Sequence, residues 1–476
     1  MILHLFLAFI LQFAGGACGC EDKPQVNTLA VVNGTKITKQ QLGTNAQNQI
    51  TQFQGAVIKA RGAALDLEVN RLLLEAEAKK RGITAEQLLQ LEVIDKVPQP
   101  TEAEVQAFYN ARKQYLKEDL KTIRPQIIAV IRTEQEGVEV IRFAGVLRSA
   151  ANIVVVNPNV TAPANEEDLD RVFVTVNGQP VTSRVIEESL LPLIFKVQQQ
   201  VYAIRKQDLE LRINDMLLED EAKTRNTTPA ALLASEVHSR LPIITDQQAR
   251  SFFDANKASI KTDFEKVKYQ IIQLLLAQEE QKLSTAYANR LRENAAVQIY
   301  LTPPDPPTLK ISTDNQPTRG NEKASVTVVE FIDFESPESA KEYAEFEKLV
   351  AEFGSEVKFV VRDFPLPQHQ FAEKAAEAAE AARQQGKYWE YVSLLYANQS
   401  TLRIDDLKKL ATQLGLDRTK FDTALDSGLY RPLIQHDVVD GNKLAIDTVP
   451  AFFVNGKPMS NYSYANLRAA IVAALK

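Results

Sequence analysis

The sequence predicts two mainly α-helical repeats followed by an α/β domain that carries a helical insertion. The first observation is a long block that recurs once at a constant offset. The second is a proline-rich stretch directly after the second copy, and the third is an alternation of strand and helix patterns beyond that stretch. The length of 476 residues suits about three domains at roughly 150 residues each.

The composition is typical of a soluble globular protein, with 45% hydrophobic and 24% charged residues, which excludes collagen-like and wholly disordered chains. Lys and Arg number 55 against 61 Asp and Glu, so no positive field favours a nucleic-acid partner. The four histidines lie far apart in the sequence. No metal-ligand spacing is present, and no metal site is expected.

Only two cysteines are present, Cys18 and Cys20. The chain from residue 21 onward contains no thiol. Structural disulfides, zinc–thiolate sites, iron–sulfur clusters and cysteine catalysis are therefore not expected in the folded part, and no cofactor is predicted.

The first 20 residues have the pattern of an export signal. An apolar run at 2–13 is followed by small residues at 14–17 and then by Cys18 and Cys20. The run is too short to cross a bilayer core of about 30 Å as a helix, and it suits a signal-peptide core before a cleavage site. A cysteine after small residues also resembles a bacterial lipoprotein box. Two outcomes stay open: simple cleavage into the periplasm, or membrane anchoring through a lipid on Cys18 or Cys20.

An internal duplication spans two blocks of similar length, residues 28–158 and 172–302. The offset of 144 residues holds from the start of each copy almost to its end. Matching segments include Val32-Asn33-Gly34 with Val176-Asn177-Gly178, Leu73-Leu74-Glu75 with Leu217-Leu218-Glu219, and Gln126-Ile127-Ile128 with Gln270-Ile271-Ile272. The two blocks are therefore predicted to share one fold.

Each copy should begin with a short β-hairpin, because Asn-Gly tolerates the positive φ angles of a type I′ turn. Capped helices follow, at Thr84-x-x-Gln87 and Thr101-x-x-Glu104 in the first copy, and at Thr228-Pro229 and Thr245-x-x-Gln248 in the second. The closing pattern predicts a strand, a helix and a short strand. In the first copy the expected ranges of these three elements are 123–132, 138–150 and 153–156, and in the second copy they are 267–275, 280–294 and 297–301.

The duplicated region resembles the N-terminal chaperone region of SurA and related periplasmic proteins of the peptidyl-prolyl isomerase type. The resemblance rests on "NRLLLEAEAKKRGIT" with "NDMLLEDEAKTRNTT", and on "PTEAEVQAFYNARK" with "ITDQQARSFFDANK". It implies binding of unfolded polypeptide through apolar grooves between helices. The stretch after the last capped helix of each copy is too short for a parvulin domain and holds no histidine. Isomerase activity is therefore not expected, and an inert dimerisation or spacer module is the alternative.

A linker is predicted at 303–322, where Pro303-Pro304 and Pro306-Pro307 favour an extended connector. The third domain is predicted at 323–476, with strands at 326–334, 357–363 and 451–454. A helix should start at Pro337, a helical block should follow the second strand, and a helix at 464–475 should close the chain. This order of elements is the thioredoxin plan.

The third domain resembles DsbA-family thioredoxin-like proteins, through "VTVVEFIDFESPESAKEY", "VKFVVRDFPLP" and "TVPAFFVNGKPM". In that family the first strand leads into Cys-Pro-x-Cys, whereas this chain has Ser336, Pro337, Glu338 and Ser339. Thiol–disulfide exchange needs a thiolate. A serine hydroxyl supplies no such anion at neutral pH, and Glu338 would oppose one. No catalytic residue is therefore predicted, and Ser336 is interpreted as a helix N-cap.

The same resemblance assigns Pro450 to the family's cis-proline position, preceded by Val449. In thioredoxin folds the backbone before this proline pairs with an extended peptide. Val449 and Pro450 are therefore candidate peptide-binding residues, with maintenance of the fold as the alternative. Asp333 matches a buried acidic position of the family.

The sequence as a whole predicts an exported, redox-inactive protein of the bacterial envelope that binds unfolded or extended polypeptides as a chaperone. It is not expected to be an enzyme. One alternative is a thiol–disulfide oxidoreductase by family descent, which the absence of a Cys-x-x-Cys motif disfavours. The other is an architectural module that presents a fixed surface to one partner.

Overall fold

The computed structural model describes residues 27–116 and 119–476. The predicted export segment, with Cys18 and Cys20, lies outside the described residues. The duplicated region contains strands β1 (Thr28–Val32), β2 (Thr35–Thr38), β3 (Ile153–Val155), β4 (Val172–Val176), β5 (Gln179–Thr182) and β6 (Val297–Ile299). Its helices are α1 (Thr44–Arg81), α2 (Ala85–Glu92), α3 (Glu102–Arg112), α4 (Leu120–Ser149), α5 (Ser183–Thr224), α6 (Pro229–Glu236), α7 (Asp246–Ala255) and α8 (Phe264–Glu293).

The C-terminal region contributes strands β7 (Thr318–Gly320), β8 (Val326–Ile332), β9 (Val357–Asp363), β10 (Ala451–Val454) and β11 (Lys457–Pro458). Its helices are α9 (Pro337–Phe353), α10 (Ala372–Arg383), α11 (Tyr388–Ala397), α12 (Ile404–Gln413), α13 (Arg418–Ser427), α14 (Arg431–Lys443) and α15 (Tyr464–Leu475). Helices α10 to α14 are inserted between β9 and β10.

The predicted Asn-Gly hairpins are confirmed in both copies. Asn33 and Gly34 have φ angles of 48° and 82°, and Asn177 and Gly178 have φ angles of 51° and 85°. Positive φ at both central residues is the signature of a type I′ turn. Each turn joins an antiparallel strand pair, β1 with β2 and β4 with β5.

The predicted helix starts are also confirmed. Thr84, Thr101 and Thr245 each accept a hydrogen bond from the backbone of the third helical residue, whose side chain bonds back to the threonine N–H. Thr228 accepts from the Ala231 N–H, with proline in the first turn. Local capping chemistry is thus enough to set these boundaries.

The predicted strands at 123–132 and 267–275 are wrong, because both stretches lie inside long helices, α4 and α8. The runs of isoleucine and other apolar residues suggested strands. However, Ile123, Ile127 and Ile131 recur every fourth residue, and all three are buried against Val105 and Tyr109 of α3. That spacing gives one face of a helix, and packing on α3 decides the outcome.

The closing strands of the two copies are exchanged. Strand β6 of the second copy pairs with β1 of the first, and β3 of the first pairs with β4 of the second. The resulting three-stranded sheets have the orders β2-β1-β6 and β3-β4-β5. The described chain accordingly falls into two compact units, one of 56–196 with 305–476 and the other of 27–55 with 197–304. Their boundaries do not coincide with those of the sequence repeats.

The C-terminal sheet has the order β11-β10-β8-β9-β7, with β8 and β9 parallel and the other pairs antiparallel. One face packs against helices through a core that includes Val328, Phe359, Phe346 and Tyr391. This is the predicted thioredoxin-like arrangement with its helical insertion. Part of the predicted linker also belongs to this layer, because β7 pairs with β9 and Leu309 is buried.

Candidate functional site

The four residues at the Cys-x-x-Cys position, Ser336 to Ser339, open helix α9 directly after β8. Ser336 has extended backbone angles, and its Oγ accepts a 3.2 Å hydrogen bond from the Ser339 N–H. Pro337 occupies the first helical position, where its missing N–H costs nothing. Ser336 is therefore the N-cap residue of α9, as its place before Pro337 predicts.

Both serine hydroxyls face the interior. Ser336 and Ser339 expose 1% and 0% of their surface, whereas Pro337 and Glu338 are exposed. The Ser336 hydroxyl also lies in donor geometry to Glu338, at 3.3 Å from Oε2. The surface at the motif is thus formed by a proline ring and a carboxylate, and neither serine hydroxyl is accessible.

Gln399, just after α11, fixes the backbone that carries the motif. Its Nε2 donates to the carbonyl oxygens of Phe334 at 2.9 Å and Ser336 at 2.8 Å. The helical insertion and the motif are therefore joined by one side chain. Sequence reasoning missed Gln399, because nothing in its local pattern distinguishes it from a surface amide and its partners lie more than 60 positions earlier in the chain.

Asp333 is buried, as the family resemblance implies. Its Oδ2 accepts a 2.7 Å hydrogen bond from the Leu366 N–H and lies 2.8 Å from His369 Nδ1. Its Oδ1 accepts from the Glu335 N–H at 2.7 Å. Asp333 therefore ties the end of β8 to the segment after β9.

His369 completes an aspartate–histidine pair near the motif that the sequence does not reveal, since 36 residues separate the partners. Across the described chain, no hydrogen bond joins His369 to Ser336. Ser336 Oγ is occupied by the N-cap contact instead. The three residues therefore lack the relay that activates a serine nucleophile.

Glu330 is a second buried acid, and sequence reasoning missed it. It lies in the middle of β8 and exposes 2% of its surface. Burial raises its pKa well above the usual range, and the negative charges of Glu342 and Glu347 raise it further. The neutral acid is thus favoured. The available signal was a single charged residue inside the apolar run VTVVEF.

Asp363, at the end of β9, is the third buried acid of the sheet. Burial raises its pKa well above the usual range, and nearby Asp437 adds to the shift. Its N–H donates to Asp437 Oδ2 at 3.0 Å, while its own Oδ1 has no hydrogen-bond partner in the described chain. Asp437 in turn accepts from buried Arg362 at 2.6 Å, so the charged pair lies beside a carboxyl group whose neutral form is favoured.

The peptide-binding candidates lie at the same end of the sheet as the motif. The Val449–Pro450 peptide bond is cis, and the pairing of β10 with β8 begins at Ala451, opposite Phe331. The side chain of Val449 is buried in a cluster with Phe331 and Phe364. No hydrogen bond within the described residues engages the backbone N–H or C=O of Val449. These two backbone groups are therefore unpaired within the described chain, while Val449 as a whole is only 5% exposed.

The loop that leads to Val449 is held by Lys196 of helix α5. The Lys196 ammonium lies 2.6 Å from Asp447 Oδ2 and donates to the Ala445 carbonyl at 3.3 Å. Both residues of the loop belong to the same compact unit as Lys196. The backbone at Val449 is therefore positioned by the duplicated region as well as by its own sheet.

The described residues contain no group of His, Cys, Asp or Glu side chains arranged to hold a metal ion. They also contain no helix that is both long and apolar enough to cross a membrane. The site consists of buried acids, a capped helix start and a backbone segment at Val449 without hydrogen-bond partners among the described residues.

The thioredoxin family profile matches residues 312–473, so the C-terminal region is a thioredoxin-like domain. A stretch of 166 residues is 37% identical to the Na⁺/H⁺ antiporter NhaA 3 of Salinispora tropica. A stretch of the same length is 37% identical to NhaA 1 of Salinispora arenicola. Each match covers 34% of this chain and 25% of the antiporter, so the chain spans a quarter of the length of these relatives.

Similar solved structures cover about a third of the chain. A thioredoxin-like oxidoreductase from Silicibacter pomeroyi is 28% identical and matches 34% of this chain and 92% of its own, with a TM-score of 0.32. BdbD from Bacillus subtilis is 24% identical and matches 36% of this chain and 99% of its own, with a TM-score of 0.34.

Proposed function

We propose that this chain, with its thioredoxin-like domain at 312–473, is an exported chaperone that binds extended polypeptides without exchanging disulfides. The observation that carries the proposal is the unpaired backbone of Val449 beside a motif with two buried serines. Such a site offers main-chain hydrogen bonds to a client and no sulfur to react with it.

The absence of thiols supports the redox-inactive part of the proposal. Exchange begins when a thiolate attacks a disulfide sulfur, and residues 21–476 contain no cysteine. Buried Ser336 is committed to capping α9, and the buried acid Glu330 favours its neutral form. The site therefore has no sulfur nucleophile, and the Ser336 hydroxyl, which lies 3.3 Å from Glu338 Oε2, is buried and used as a helix cap.

Strand addition supports the binding part. A client segment that pairs with Val449 would add main-chain hydrogen bonds just before the start of β10, at the end of the sheet where β8 leads to exposed Pro337 and Glu338. Main-chain pairing is independent of client sequence. The carboxylate of Glu338 adds a preference for clients with a basic side chain near the paired segment.

The duplicated region supplies the rest of the proposal. Its resemblance to SurA suggests that helices α1 to α8 contribute apolar contacts to unfolded clients.

Export rests on the pattern of residues 1–20, with lipid attachment at Cys18 or Cys20 as one route and simple cleavage as the other. A fixed architectural module remains the rival role, and cross-linking in cells separates many clients from one stoichiometric partner.

The test uses two versions of one extended, lysine-containing fluorescent peptide, unmodified and N-methylated at alternate residues. N-methylation removes main-chain donors and leaves the side chains intact. Fluorescence anisotropy with the full chain should show binding of the unmodified peptide and at least about tenfold weaker binding of the N-methylated one. Equal binding of both versions, or binding of neither, would refute strand addition at Val449.

A further inference from the structure

The second half of helix α4 presents an apolar surface to solvent. Val138 and Ile141 are 68% and 75% exposed, and Val140 and Val146 are also exposed. Leu91 and Ile94, at and just after the end of α2, are exposed as well. Single exposed apolar residues are common, but Val138 and Ile141 are three residues apart and share one side of α4, and exposed apolar side chains grouped in this way indicate a covered surface.

The second repeat provides an internal comparison, because its equivalent positions are all polar. The residues found there are Ser235, His238, Lys282, Ser284, Thr285 and Arg290. Two of them form ion pairs, Arg290 with Glu236 at 2.8 Å and Lys282 with Glu279 at 2.6 Å, and His238 Nε2 lies 3.2 Å from Glu280 Oε1. The shared fold therefore does not require an apolar surface at these positions. The apolar surface of the first repeat therefore has a role other than maintaining the fold.

Two glycines flank Ile141 on the same side of α4. Gly137 and Gly145 lie four residues before and after it, so the three positions fall within an arc of about 80°. A Cβ added at either glycine would meet nothing within 4 Å. The packing of the chain on itself therefore needs neither glycine, although glycine is unfavourable inside a helix. Their effect is to let another backbone approach closely. The second repeat has Gln281 and Asn289 instead.

The pattern is symmetric about Ile141, and its charges are complementary. If two α4 helices pack antiparallel with Ile141 at the two-fold axis, Gly137 of one copy faces Gly145 of the other. Glu134 and Arg148, each seven residues from Ile141, then also face each other with opposite charges. Arg148 donates to Asp66 and Asn70 and keeps 36% of its side chain exposed. Glu134 is exposed and has no ion-pair partner among the described residues.

We propose that this face of α4, centred on Ile141, is the contact between two copies of the chain, packed antiparallel about a two-fold axis. Residue 137 then meets residue 145 of the second copy, as an isologous interface requires. Close backbone approach at the glycines lets Ile141 and Val138 pack into the opposite groove. The second repeat, with its polar face, stays in solvent.

The test is sedimentation velocity of the full chain over a range of concentrations. The wild-type chain should be a dimer, and Ile141→Asp should weaken the dimer at least about tenfold. Thr285→Asp, at the equivalent position of the second repeat, is the matched control and should leave dimerisation unchanged. A chain that stays monomeric, or a dimer equally sensitive to both substitutions, would overturn the proposal.

Two further variants separate dimerisation from folding. Gly137→Gln places the residue of the second repeat at a position with open space around it, so the melting temperature of the monomer should not fall while the dimer weakens. Glu134→Arg should weaken the dimer through repulsion by Arg148, whereas Gln278→Arg in the second repeat should not. The chain could instead be a monomer whose binding of unfolded clients is reduced by Ile141→Asp. That result would show that this face binds clients, and it would reject the contact between copies.

Discussion

Ser336 Oγ accepts a 3.2 Å hydrogen bond from the backbone N–H of Ser339, so the two positions that would carry cysteines in a DsbA-type motif form a helix cap. The contact satisfies one of the unpaired donors at the start of α9. It also keeps both hydroxyls inside, where Ser339 exposes 0% of its surface. The hydrogen-bonding potential of this helix start is therefore used for stability.

Replacing Gln399 by alanine should destabilise the thioredoxin-like domain by about 1–3 kcal/mol. The substitution removes the donors to two part-buried carbonyl groups, those of Phe334 and Ser336, and unsatisfied groups carry this cost. Urea denaturation followed by the fluorescence of Trp389, the single tryptophan of the chain, measures the change. Gln413→Ala, at an exposed position, should cost little, and equal effects of the two variants would contradict the role of Gln399.

Replacing Glu330 by glutamine should stabilise the domain at neutral pH and have no such effect in acid. Burial raises the pKa of Glu330 in the folded state, so folded Glu330 keeps its proton at pH values where the unfolded chain has lost it. Its contribution to stability is therefore present below the unfolded pKa of about 4.3 and is lost as the pH rises through the folded pKa. Glutamine abolishes that loss.

The measurement for Glu330 is denaturant unfolding from pH 4 to pH 8 with the same tryptophan signal. The gain in unfolding free energy from Glu330→Gln should grow as the pH rises above about 4.3. Exposed Glu322 supplies the control, since Glu322→Gln should give the same small change at every pH. A gain for Glu330→Gln that is constant over the range would show that its proton is not held by burial.

Reversing the charge of Glu338 should change which peptides bind. Glu338 is the exposed acidic residue of the motif, so Glu338→Lys should weaken binding of a lysine-containing peptide by about threefold to tenfold and strengthen binding of its glutamate counterpart. Anisotropy titrations at low and physiological salt measure both peptides. Glu345→Lys, on the same helix and paired in the wild type with Lys348, is the matched control. Identical shifts in the two variants would place the binding site elsewhere.

Short-range signals in the sequence were sufficient for much of the fold. Asn-Gly at 33–34 and 177–178 determined the hairpins, and Thr84, Thr101 and Thr245 determined helix starts, because each of these structures is stabilised within four residues. The alternation of strands and helices after residue 323 was sufficient for the thioredoxin-like plan.

The errors share a physical cause, which is that long-range packing decided the outcome. Ile123, Ile127 and Ile131 are β-branched, but burial against α3 keeps them helical. Strands β3 and β6 are exchanged between the repeats, and no local pattern specifies this exchange. Strand β6 pairs with β1, which lies more than a hundred residues earlier in the chain. Strand β7 lies in the stretch that was predicted to be a linker. The sequence did not reveal this strand, because its stability comes from pairing with β9.

In the candidate site, too, local features could be predicted from the sequence and long-range contacts could not. Ser336 as a cap could be predicted from Pro337 beside it, and Asp333 as a buried acid from the family resemblance. Gln399 and His369 could not, because each meets the motif region only after folding. Glu330 could have been found, since a lone acid in a buried strand is conspicuous in the sequence.

The most direct measurement is disulfide turnover of insulin by the purified wild-type chain, beside the double variant Ser336→Cys with Ser339→Cys. The serine chain should stay at the rate of the uncatalysed reaction, because it has no thiolate at this site. The double variant should exceed that rate, since a sulfur at residue 336 would meet the N-terminal N–H groups of α9. Turnover above background by the wild-type chain would contradict the account.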